Sequence, residues 1–291
     1  MKAILKSLYN TVPFKKEIFS AVKTVWKPSE SIYKHLHFKG VISVPLNESK
    51  SFKMNHYGFQ LENDIFWTGL TEGWEKESIK VWMKLCEDAE TILDIGANTG
   101  IYSLIAKTVN PKATVYAFEP VDRVYKKLNE NIKLNNFDIK PVEKAISNEN
   151  GIATIFDTTT EHTYTVTVNK NRLLADETVV ETKITTITLD SFIKQNNLKK
   201  IDLIKIDVET HEPEVLEGFS EYMKVFKPSM IIEILDEETG RKVNDLVQGI
   251  GYVFFNIDEK TGIRQVEKIT KSDDFNVLIC TPENALKLRL I

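Results

Sequence analysis

The pattern of apolar and polar positions changes at residue 91. From Thr91 onward, short apolar runs alternate with segments in which apolar residues recur every three or four positions. The first pattern is typical of buried strands and the second of amphipathic helices, so their alternation predicts a parallel sheet with helical crossovers. The strands are predicted at 91–95, 114–118, 140–146, 201–206 and 229–235. The helices are predicted at 100–108, 122–135, 189–196, 213–224 and 237–249.

Three β-rich segments extend this alternation. Residues 150–187, between the third and fourth predicted strands, are rich in Thr and Val and predict a hairpin insertion that is a natural lid. Residues 251–257 and 275–281 predict further strands at the C-terminal end. The predicted fold class is therefore α/β: a doubly wound, Rossmann-like sheet that is mostly parallel and has an antiparallel C-terminal edge.

The first part of the chain follows a different pattern. Residues 1–90 predict an N-terminal helical and β extension to a domain formed by 91–291. Strands are predicted at 40–46 and 52–54, within a β-rich stretch at 38–66, and a helix is predicted at about 73–86. The pair Trp74-Glu75 at the start of that helix could face a ligand, although aromatics at helical spacing are more often part of the core.

The N-terminal segment is basic. Residues 1–28 predict an amphipathic helix that is interrupted at Pro13. Six lysines against Glu17 give this segment a charge of +5, and since the whole chain carries −4, the remainder carries −9. Such a helix can make a weak contact with a membrane surface. The alternative is that it packs on the domain or on a second subunit of a homo-oligomer, with its lysines solvated.

Composition disfavours several classes of protein. A net charge of −4 over 291 residues disfavours a nucleic-acid partner, because proteins that grip nucleic acid usually carry a basic face. The two cysteines, Cys86 and Cys280, have no zinc-site spacing and favour a reducing compartment. The N-terminus lacks the apolar core of a signal peptide, and no apolar run approaches the ~18 residues of a membrane span. We therefore expect a cytoplasmic protein.

The sharpest local motif is the turn after the first predicted strand. The segment D-I-G-A-N-T-G-I-Y-S at 94–103 carries Gly96, Asn98 and Gly100 directly before a predicted helix. Glycine, and to a lesser degree asparagine, tolerates positive φ, so a ligand can approach the backbone closely. The helix N-terminus then offers free N–H groups to an anion. G-x-G-x-x-G is absent, so a cofactor without phosphate fits better than a dinucleotide.

A second motif, F-E-P at 118–120, ends the next predicted strand. Glu119 lies 25 residues after Asp94, and Pro120 stops the strand so that this acid stands at its carboxyl edge. An acid in that place can accept hydrogen bonds from both hydroxyls of a ribose. The apolar strand before it argues against an ordinary surface acid.

These motifs resemble the FkbM family of class I methyltransferases, which use S-adenosylmethionine (SAM). The further matching stretches are A-I-S-N at 145–148 with Gly151, T-L-D at 188–190 and D-L-I-K-I-D-V-E-T-H-E-P-E-V-L-E-G at 202–218. The resemblance covers about 91–236, and 38–90 more loosely through the Trp-Glu pair. One position departs from the family: Thr210 stands where Gly is common, and His211 follows it.

The resemblance implies a methyltransferase that acts on hydroxyls, mostly of sugars or secondary metabolites. It implies that the 94–100 turn holds the methionine end of SAM, Glu119 the ribose and the 145–147 turn the adenine. The cofactor-binding residues implied are Asp94, Gly96, Ala97, Asn98, Gly100, Tyr102, Ser103, Glu119, Pro120, Ala145, Ile146 and Asp207.

Candidate catalytic residues follow the fourth predicted strand of the sheet. A sugar hydroxyl is weakly acidic, so its methylation needs a base as well as alignment. Asp207 and Glu209 share one face if the strand continues past Ile206, and two carboxylates in one pocket raise each other's pKa. His211 has the side chain whose ordinary pKa lies nearest neutrality; it is either the base, with Glu209 orienting it, or a loop histidine.

Glu233 is an acid inside an apolar strand, a costly placement unless it has a partner or a task. Together with Asp207 and Glu209 it is a candidate ligand for a divalent cation such as Mg²⁺, which would align two sugar hydroxyls. The alternative is that Lys205 and other donors satisfy these acids structurally.

The predicted function is SAM-dependent O-methylation of a small-molecule or glycan hydroxyl, on a sugar, a nucleotide-sugar or a glycosylated metabolite. Three alternatives remain. An N-methyltransferase acting on bases would favour an Asn/Asp-Pro-Pro-Tyr loop, where this chain has Asp207-Val-Glu-Thr. A non-catalytic SAM-binding subunit would bind the cofactor without turnover. An NAD-dependent oxidoreductase would need the missing dinucleotide fingerprint.

Overall fold

The computed structural model describes residue 9, residues 12–158 and residues 179–291. The start of the predicted N-terminal helix and the tip of the predicted insertion lie outside these ranges. The N-terminal extension contains α1 (Lys15–Val25), α2 (Glu30–Tyr33), β1 (Gly40–Pro45), β2 (Ser51–His56), α3 (Gln60–Thr68) and α4 (Lys76–Cys86). The remainder contains β3 (Thr91–Ile95), α5 (Ile101–Val109), β4 (Thr114–Phe118), α6 (Asp122–Asn135), β5 (Ile139–Val142), β6 (Ala145–Ile146), β7 (Gly151–Thr158), β8 (Val179–Ile187), α7 (Leu189–Asn196), β9 (Leu203–Ile206), α8 (Glu212–Glu217), α9 (Met223–Phe226), β10 (Ser229–Glu233), α10 (Glu237–Val247), β11 (Val253–Asp258), β12 (Gly262–Val266), β13 (Asn276–Cys280) and α11 (Pro282–Lys287).

The main sheet has eight strands in the order β12-β11-β13-β10-β9-β3-β4-β5. The five strands from β10 to β5 are parallel, and β13, β11 and β12 pair antiparallel at the C-terminal edge. This arrangement confirms the predicted fold class. The chain runs outward from β3 in one direction and from β9 in the other, so the β3–β9 boundary is the topological switch point, where open α/β sheets bind their ligands.

Both faces of the central strands are covered, which explains their continuous apolar sequences. Ile204 and Ile206 of β9 are fully buried, and so is Lys205 between them, with 1% of its surface exposed. A buried ammonium is costly unless anions surround it. Strand β9 therefore places the buried Lys205 ammonium in the middle of the sheet.

Two predicted elements are divided in the structure. The predicted strand 140–146 separates into β5, which joins the main sheet, and β6, which joins β7 and β8 in a three-stranded sheet. The predicted helix 213–224 breaks into α8 and α9 at Gly218, where a Cβ would lie 2.1 Å from the carbonyl oxygen of Ser147. The close approach of another segment requires Gly there, and Gly is a poor helix former.

The antiparallel pair β7–β8 forms the stem of the predicted insertion, so the hairpin is confirmed in its described part.

The helix α3 was not predicted, because 38–66 was assigned to strands and a turn. Its first turn is set by Glu62, whose carboxylate accepts the Phe59 N–H at 3.0 Å. Helix α4 begins at Lys76 and not near 73, since Glu75 has a φ of 45°.

The N-terminal extension packs into the core of the larger domain. One hydrophobic cluster contains Trp82 of the extension together with Ile105 and Leu278. Helix α1 lies on α3, with the ring of Phe19 5.6 Å from that of Trp67. The boundary at residue 90 stays a prediction. Across the ranges that the structure describes, no helix has both the length and the apolar character to span a membrane.

Candidate active site

A pocket lies at the carboxyl ends of β3, β4 and β9, on the switch point of the sheet. Its walls come from five parts of the chain: the 94–102 turn, the 118–121 turn, the 144–146 segment, the 205–211 segment and the hairpin insertion. Leu61 and Trp74 of the N-terminal extension close it further. Of the predicted cofactor-binding residues, those that line the pocket are Asp94, Gly96, Ala97, Asn98, Tyr102, Glu119, Pro120, Ala145, Ile146 and Asp207.

The turn after β3 adopts the conformation that its sequence predicts. Gly96, Asn98 and Gly100 have φ values of 79°, 51° and 91°. The N–H groups of Gly96 and Ala97 donate to the Phe118 carbonyl at 3.1 and 2.8 Å, which ties the turn to the end of β4. Gly100 does not line the pocket; it is the N-cap of α5, and its lack of a Cβ leaves room for Leu128.

Gly96 also sets how closely the turn approaches β9. A Cβ at this position would lie 1.8 Å from the Asp207 carbonyl oxygen. We expect Gly96→Ala to destabilise the protein by about 2–5 kcal/mol, the sum of a positive-φ penalty and overpacking. Denaturant unfolding would measure it. Gly262→Ala is the matched control, with a φ of 91° and no atom within 4 Å of its Cβ position, and should lose only about 1–2 kcal/mol. Equal losses in the two variants would contradict the close-approach argument.

Asp94 stabilises the first turn of α5. Its Oδ2 accepts the backbone N–H of Ser103 at 2.9 Å and the Ser103 hydroxyl at 2.6 Å. Burial raises the pKa of Asp94 to about 6, although the Ser103 hydroxyl and Lys205 act in the opposite direction. Ser103 thus supports Asp94 from behind and does not itself line the pocket.

Glu119 is buried, with 7% of its surface exposed, so it is not a surface acid. Its Oε2 accepts the Asn98 N–H at 3.1 Å and its Oε1 accepts the Val121 N–H at 3.0 Å. Glu119 therefore joins the two turns of the pocket.

The N-terminal extension supports the same turn through Asn131 of α6. The Oδ1 of Asn131 accepts the N–H of Asn55 in β2 at 2.8 Å, and its Nδ2 donates to the Thr99 carbonyl at 2.9 Å. Asn131 is fully buried. The side-chain amide of Asn131 thus fixes the position of β2 relative to the glycine-containing turn.

The hairpin insertion supplies part of the pocket that sequence reasoning missed. Ile155 of β7 and Ile184 of β8 line the pocket next to Ala145 and Ile146. Both side chains are buried in a small apolar cluster with Val121 and Val124. Alternating β-branched residues in the 150–187 segment were the available signal. Ile155 and Ile184 form an apolar wall of the pocket that Glu119 also lines.

The segment after β9 departs from the strand that was predicted to continue. β9 ends at Ile206, and Glu209 and Thr210 have φ values of 54° and 78°. Asp207 and Glu209 therefore do not share a strand face, but both line the pocket from a loop. The positive φ of Thr210 explains why glycine suits this position, since a branched side chain there costs about 1–2 kcal/mol.

His211 also lines the pocket, and both of its ring nitrogens face polar groups. Nε2 lies 2.9 Å from the Ser147 hydroxyl, and Nδ1 lies 3.5 Å from Glu214 Oε2. Burial lowers the pKa of His211, although Glu214 and Glu217 act in the opposite direction. Burial therefore favours the neutral imidazole.

Glu212 stabilises the loop that follows β9. Its Oε1 accepts the N–H groups of Val208 and Thr210 at 3.1 and 3.2 Å, and it is fully buried. Burial raises the pKa of Glu212 from 4.5 to about 8. Sequence reasoning missed this residue, since a glutamate at a helix start is ordinary.

The raised pKa of Glu212 predicts a pH-dependent stability. Between pH 4.5 and about 8 the folded protein keeps a proton that the unfolded chain has released, so this contribution is lost as pH rises. Glu212→Gln keeps the acceptor and removes the titration. We expect its free energy of unfolding, relative to wild type, to rise by at least ~1.4 kcal/mol from pH 6 to 8.5. Exposed Glu267→Gln is the control. Parallel pH curves for wild type and Glu212→Gln would contradict the expectation.

Three carboxylates converge beside the pocket. Oxygens of Glu75, Asp207 and Glu233 lie within 4.8 Å of one another. This set differs from the predicted one: Glu75 of the extension is present and Glu209 is absent from the cluster. Burial raises the pKa of Glu233 to about 9, and the Asp207 carboxylate acts in the same direction.

Lys205 lies among these acids. Its Nζ is 3.4 Å from Asp207 Oδ2 and 3.2 Å from Asn276 Oδ1. Burial opposes a charge on Lys205, but four nearby carboxylates outweigh it and raise its pKa above the usual value. Tyr102 donates a hydrogen bond to Glu75 from the other side. The cluster thus contains its own buried cation.

Known proteins show where this chain belongs. The hexuronic acid methyltransferase AglP of Haloferax volcanii is 24% identical over 201 residues, which cover 69% of this chain and 75% of that protein. The 31-O-demethyl-FK506 methyltransferase FkbM of Streptomyces tacrolimicus is 27% identical over 153 residues, covering 44% and 59%. The solved structure of methyltransferase FkbM from Methylobacillus flagellatus KT is 16% identical, with a TM-score of 0.44, over 66% of this chain and 44% of that one.

The family model described as the methyltransferase FkbM domain matches residues 94–254. That range begins at Asp94 and includes the carboxyl ends of β4 and β9, where the pocket lies. Since the match covers more than half of the 291 residues, this chain belongs to the FkbM family of SAM-dependent methyltransferases.

Proposed function

We propose that this enzyme transfers a methyl group from SAM to a hydroxyl of a sugar, a nucleotide-sugar or a glycosylated metabolite. The observation that carries the proposal is that Asp207 and Glu209 line the same pocket as the 94–102 turn. AglP, by its name, methylates a hexuronic acid, and the Streptomyces relative is named for a 31-O-demethyl compound. The first name supports a sugar acid as acceptor, and the second supports transfer to oxygen.

The residues of the pocket suit SAM. Asn98 Oδ1 is buried and has no partner among the described residues, so it can accept from the methionine ammonium. Glu119 lines the pocket at the carboxyl end of β4, where an acid can bind ribose hydroxyls, and the slot formed by Ile146, Ile155 and Ile184 suits the flat face of adenine. When bound, SAM supplies an electrophilic methyl group on a sulfonium cation.

The chain must align the acceptor hydroxyl and take its proton. Asp207 and Glu209 are the better bases, because Nε2 of His211 is already hydrogen-bonded to the Ser147 hydroxyl, 2.9 Å away. Lys205 contacts Asp207, with 3.4 Å between its Nζ and Asp207 Oδ2. In this arrangement a carboxylate oxygen of Asp207 or Glu209 accepts the hydroxyl proton, and His211 positions the loop.

Trp74 supports a sugar acceptor. It lines the pocket and packs edge-on against Tyr102, with 6.3 Å between ring centroids. An aromatic face beside carboxylates suits a ring that has apolar C–H faces and hydroxyl edges. Trp74 thus lines the pocket, and its neighbour Glu75 belongs to the adjoining acid cluster.

We propose that Lys205, and not a divalent cation, balances the acid cluster. Its ammonium interacts electrostatically with all three carboxylates that would form the metal site. We therefore expect EDTA to leave turnover unchanged, within about two-fold, in protein that has been dialysed against chelator. Loss of activity in EDTA that Mg²⁺ or Mn²⁺ restores would contradict this and assign Glu75, Asp207 and Glu233 as ligands.

The test of the function is an acceptor screen. Purified enzyme and SAM would be incubated with neutral hexoses, hexuronic acids, amino sugars and nucleotide-sugars, and product formation followed by release of S-adenosylhomocysteine and gain of one methyl group in the mass spectrum. Transfer to a hydroxyl supports the proposal. Transfer to an amine of an amino sugar would favour an N-methyltransferase. SAM binding without turnover on every class would favour a non-catalytic subunit.

A further inference from the structure

Helix α1 has an apolar stripe on its outer face. Phe14, Ile18, Ala21 and Val25 follow one another at helical spacing, and all four are exposed. Phe14 is 73% and Val25 86% exposed. An apolar stripe on the solvent side of a helix is unusual, because such residues normally face the core.

The helix is nevertheless fixed to the domain by its opposite face. Phe19 is buried, with its ring 6.1 Å from that of Phe38 and 5.6 Å from that of Trp67. Lys23 donates to the Phe66 carbonyl of α3. The outer stripe is therefore a second apolar surface, separate from the one that holds the helix in place.

This region concentrates the exposed apolar side chains of the molecule. Among the described residues, eleven large hydrophobic side chains are exposed, and six of them lie between residues 12 and 32. These six are Val12, Phe14, Ile18, Val25, Trp26 and Ile32. Single exposed apolar residues need no explanation, whereas a cluster of this kind marks an interaction surface.

The charge around the stripe indicates its partner. Residues 12–34 carry five lysines against Glu17 and Glu30, whereas the chain as a whole is acidic, at −4. Lys27 and Lys34 are exposed, and Lys27 also forms an exposed ion pair with Glu72 at 3.5 Å. A second copy presenting the same face would bring two basic surfaces together. An anionic lipid surface offers both an apolar layer for the stripe and negative headgroups for the lysines.

We propose that residues 12–34 form a docking surface for the anionic face of a lipid bilayer. The aromatic and aliphatic side chains of the stripe lie at the boundary between headgroups and acyl chains, and the lysines lie among the headgroups. Contact of this kind holds the enzyme on the membrane without a spanning helix.

The experiment is sedimentation of the full chain with vesicles of phosphatidylcholine alone or of phosphatidylcholine mixed with phosphatidylserine. Wild type should bind the mixed vesicles, and binding should fall with added salt. Ile18→Ser combined with Val25→Ser should lower the partition coefficient at least ~10-fold. Val225→Ser combined with Leu286→Ser, which removes two equally exposed apolar side chains elsewhere, should leave it unchanged.

A second pair of substitutions tests the charge. Lys27→Glu combined with Lys34→Glu should reduce binding to the mixed vesicles, and every variant should keep wild-type affinity for SAM as the check on folding. Equal binding by the Ile18/Val25 variant, equal binding to neutral vesicles, or no binding by wild type would overturn the proposal. Concentration-dependent self-association that the Ile18/Val25 variant abolishes, without vesicle binding, would assign the stripe to a second copy instead.

Discussion

Asp207→Asn and Glu209→Gln should each lower kcat by at least ~100-fold. An amide has nearly the shape of the carboxylate but cannot take the proton of an acceptor hydroxyl, and a positioned base contributes about 10²–10⁴ in rate. Both side chains line the pocket beside the 94–102 turn. Turnover would be measured as release of S-adenosylhomocysteine at saturating SAM, with the acceptor identified in the screen.

Two controls keep this result specific to catalysis. SAM affinity, measured by calorimetry, should stay near wild type in both variants, and exposed Asp273→Asn should leave kcat unchanged. His211→Ala should cost less than either acid variant, because its role is to position the loop. Near-normal kcat in both acid variants would remove them as bases and move the base to the 150–187 insertion, to His211 or to the substrate.

Glu119→Ala should weaken SAM binding by about 10–150-fold. The estimate assumes that one hydrogen bond between a ribose hydroxyl and a charged acceptor is lost, which is worth about 1.5–3 kcal/mol. Because Glu119 also accepts the N–H groups of Asn98 and Val121, part of the loss will come from loosening of the two turns. Titration calorimetry of the folded variant would measure the change.

Glu119→Gln separates these two contributions. The amide keeps an acceptor oxygen for one turn but removes the charge, so its affinity should fall between those of wild type and Glu119→Ala. Exposed Glu143→Ala, just beyond the end of β5, is the matched control and should bind SAM as wild type does. A folded Glu119→Ala protein with unchanged affinity would exclude Glu119 from the cofactor site.

Local signals in the sequence were enough to predict much of this site. The turn at Gly96, Asn98 and Gly100 was predictable because positive φ restricts the residue types that a turn can use. Glu119 was predictable because Pro120 ends its strand and parallel strands present their carboxyl ends at one edge. The alternation of strands and helices then predicted the sheet, apart from the edge strand β12 and the divided strand 140–146.

Other features depend on contacts between distant segments. Glu75 lies 132 positions before Asp207, and nothing in the local sequence shows that its carboxylate joins the cluster with Glu233. The same holds for Ile155 and Ile184, which reach the pocket only because the hairpin folds back over it. Prediction also placed Asp207 and Glu209 on one strand face, and the positive φ of Glu209 shows that the chain turns there.

By itself, then, the sequence determined the sheet, the glycine-containing turn and the acids at the sheet edge, because strand burial, φ restriction and strand ends are local properties of a few neighbouring residues. Only the tertiary structure decided that Lys205 is the buried cation of the acid cluster and which stripe of α1 faces outward. Helical periodicity shows that a helix has apolar stripes, but the choice between them is made by the surface against which it packs.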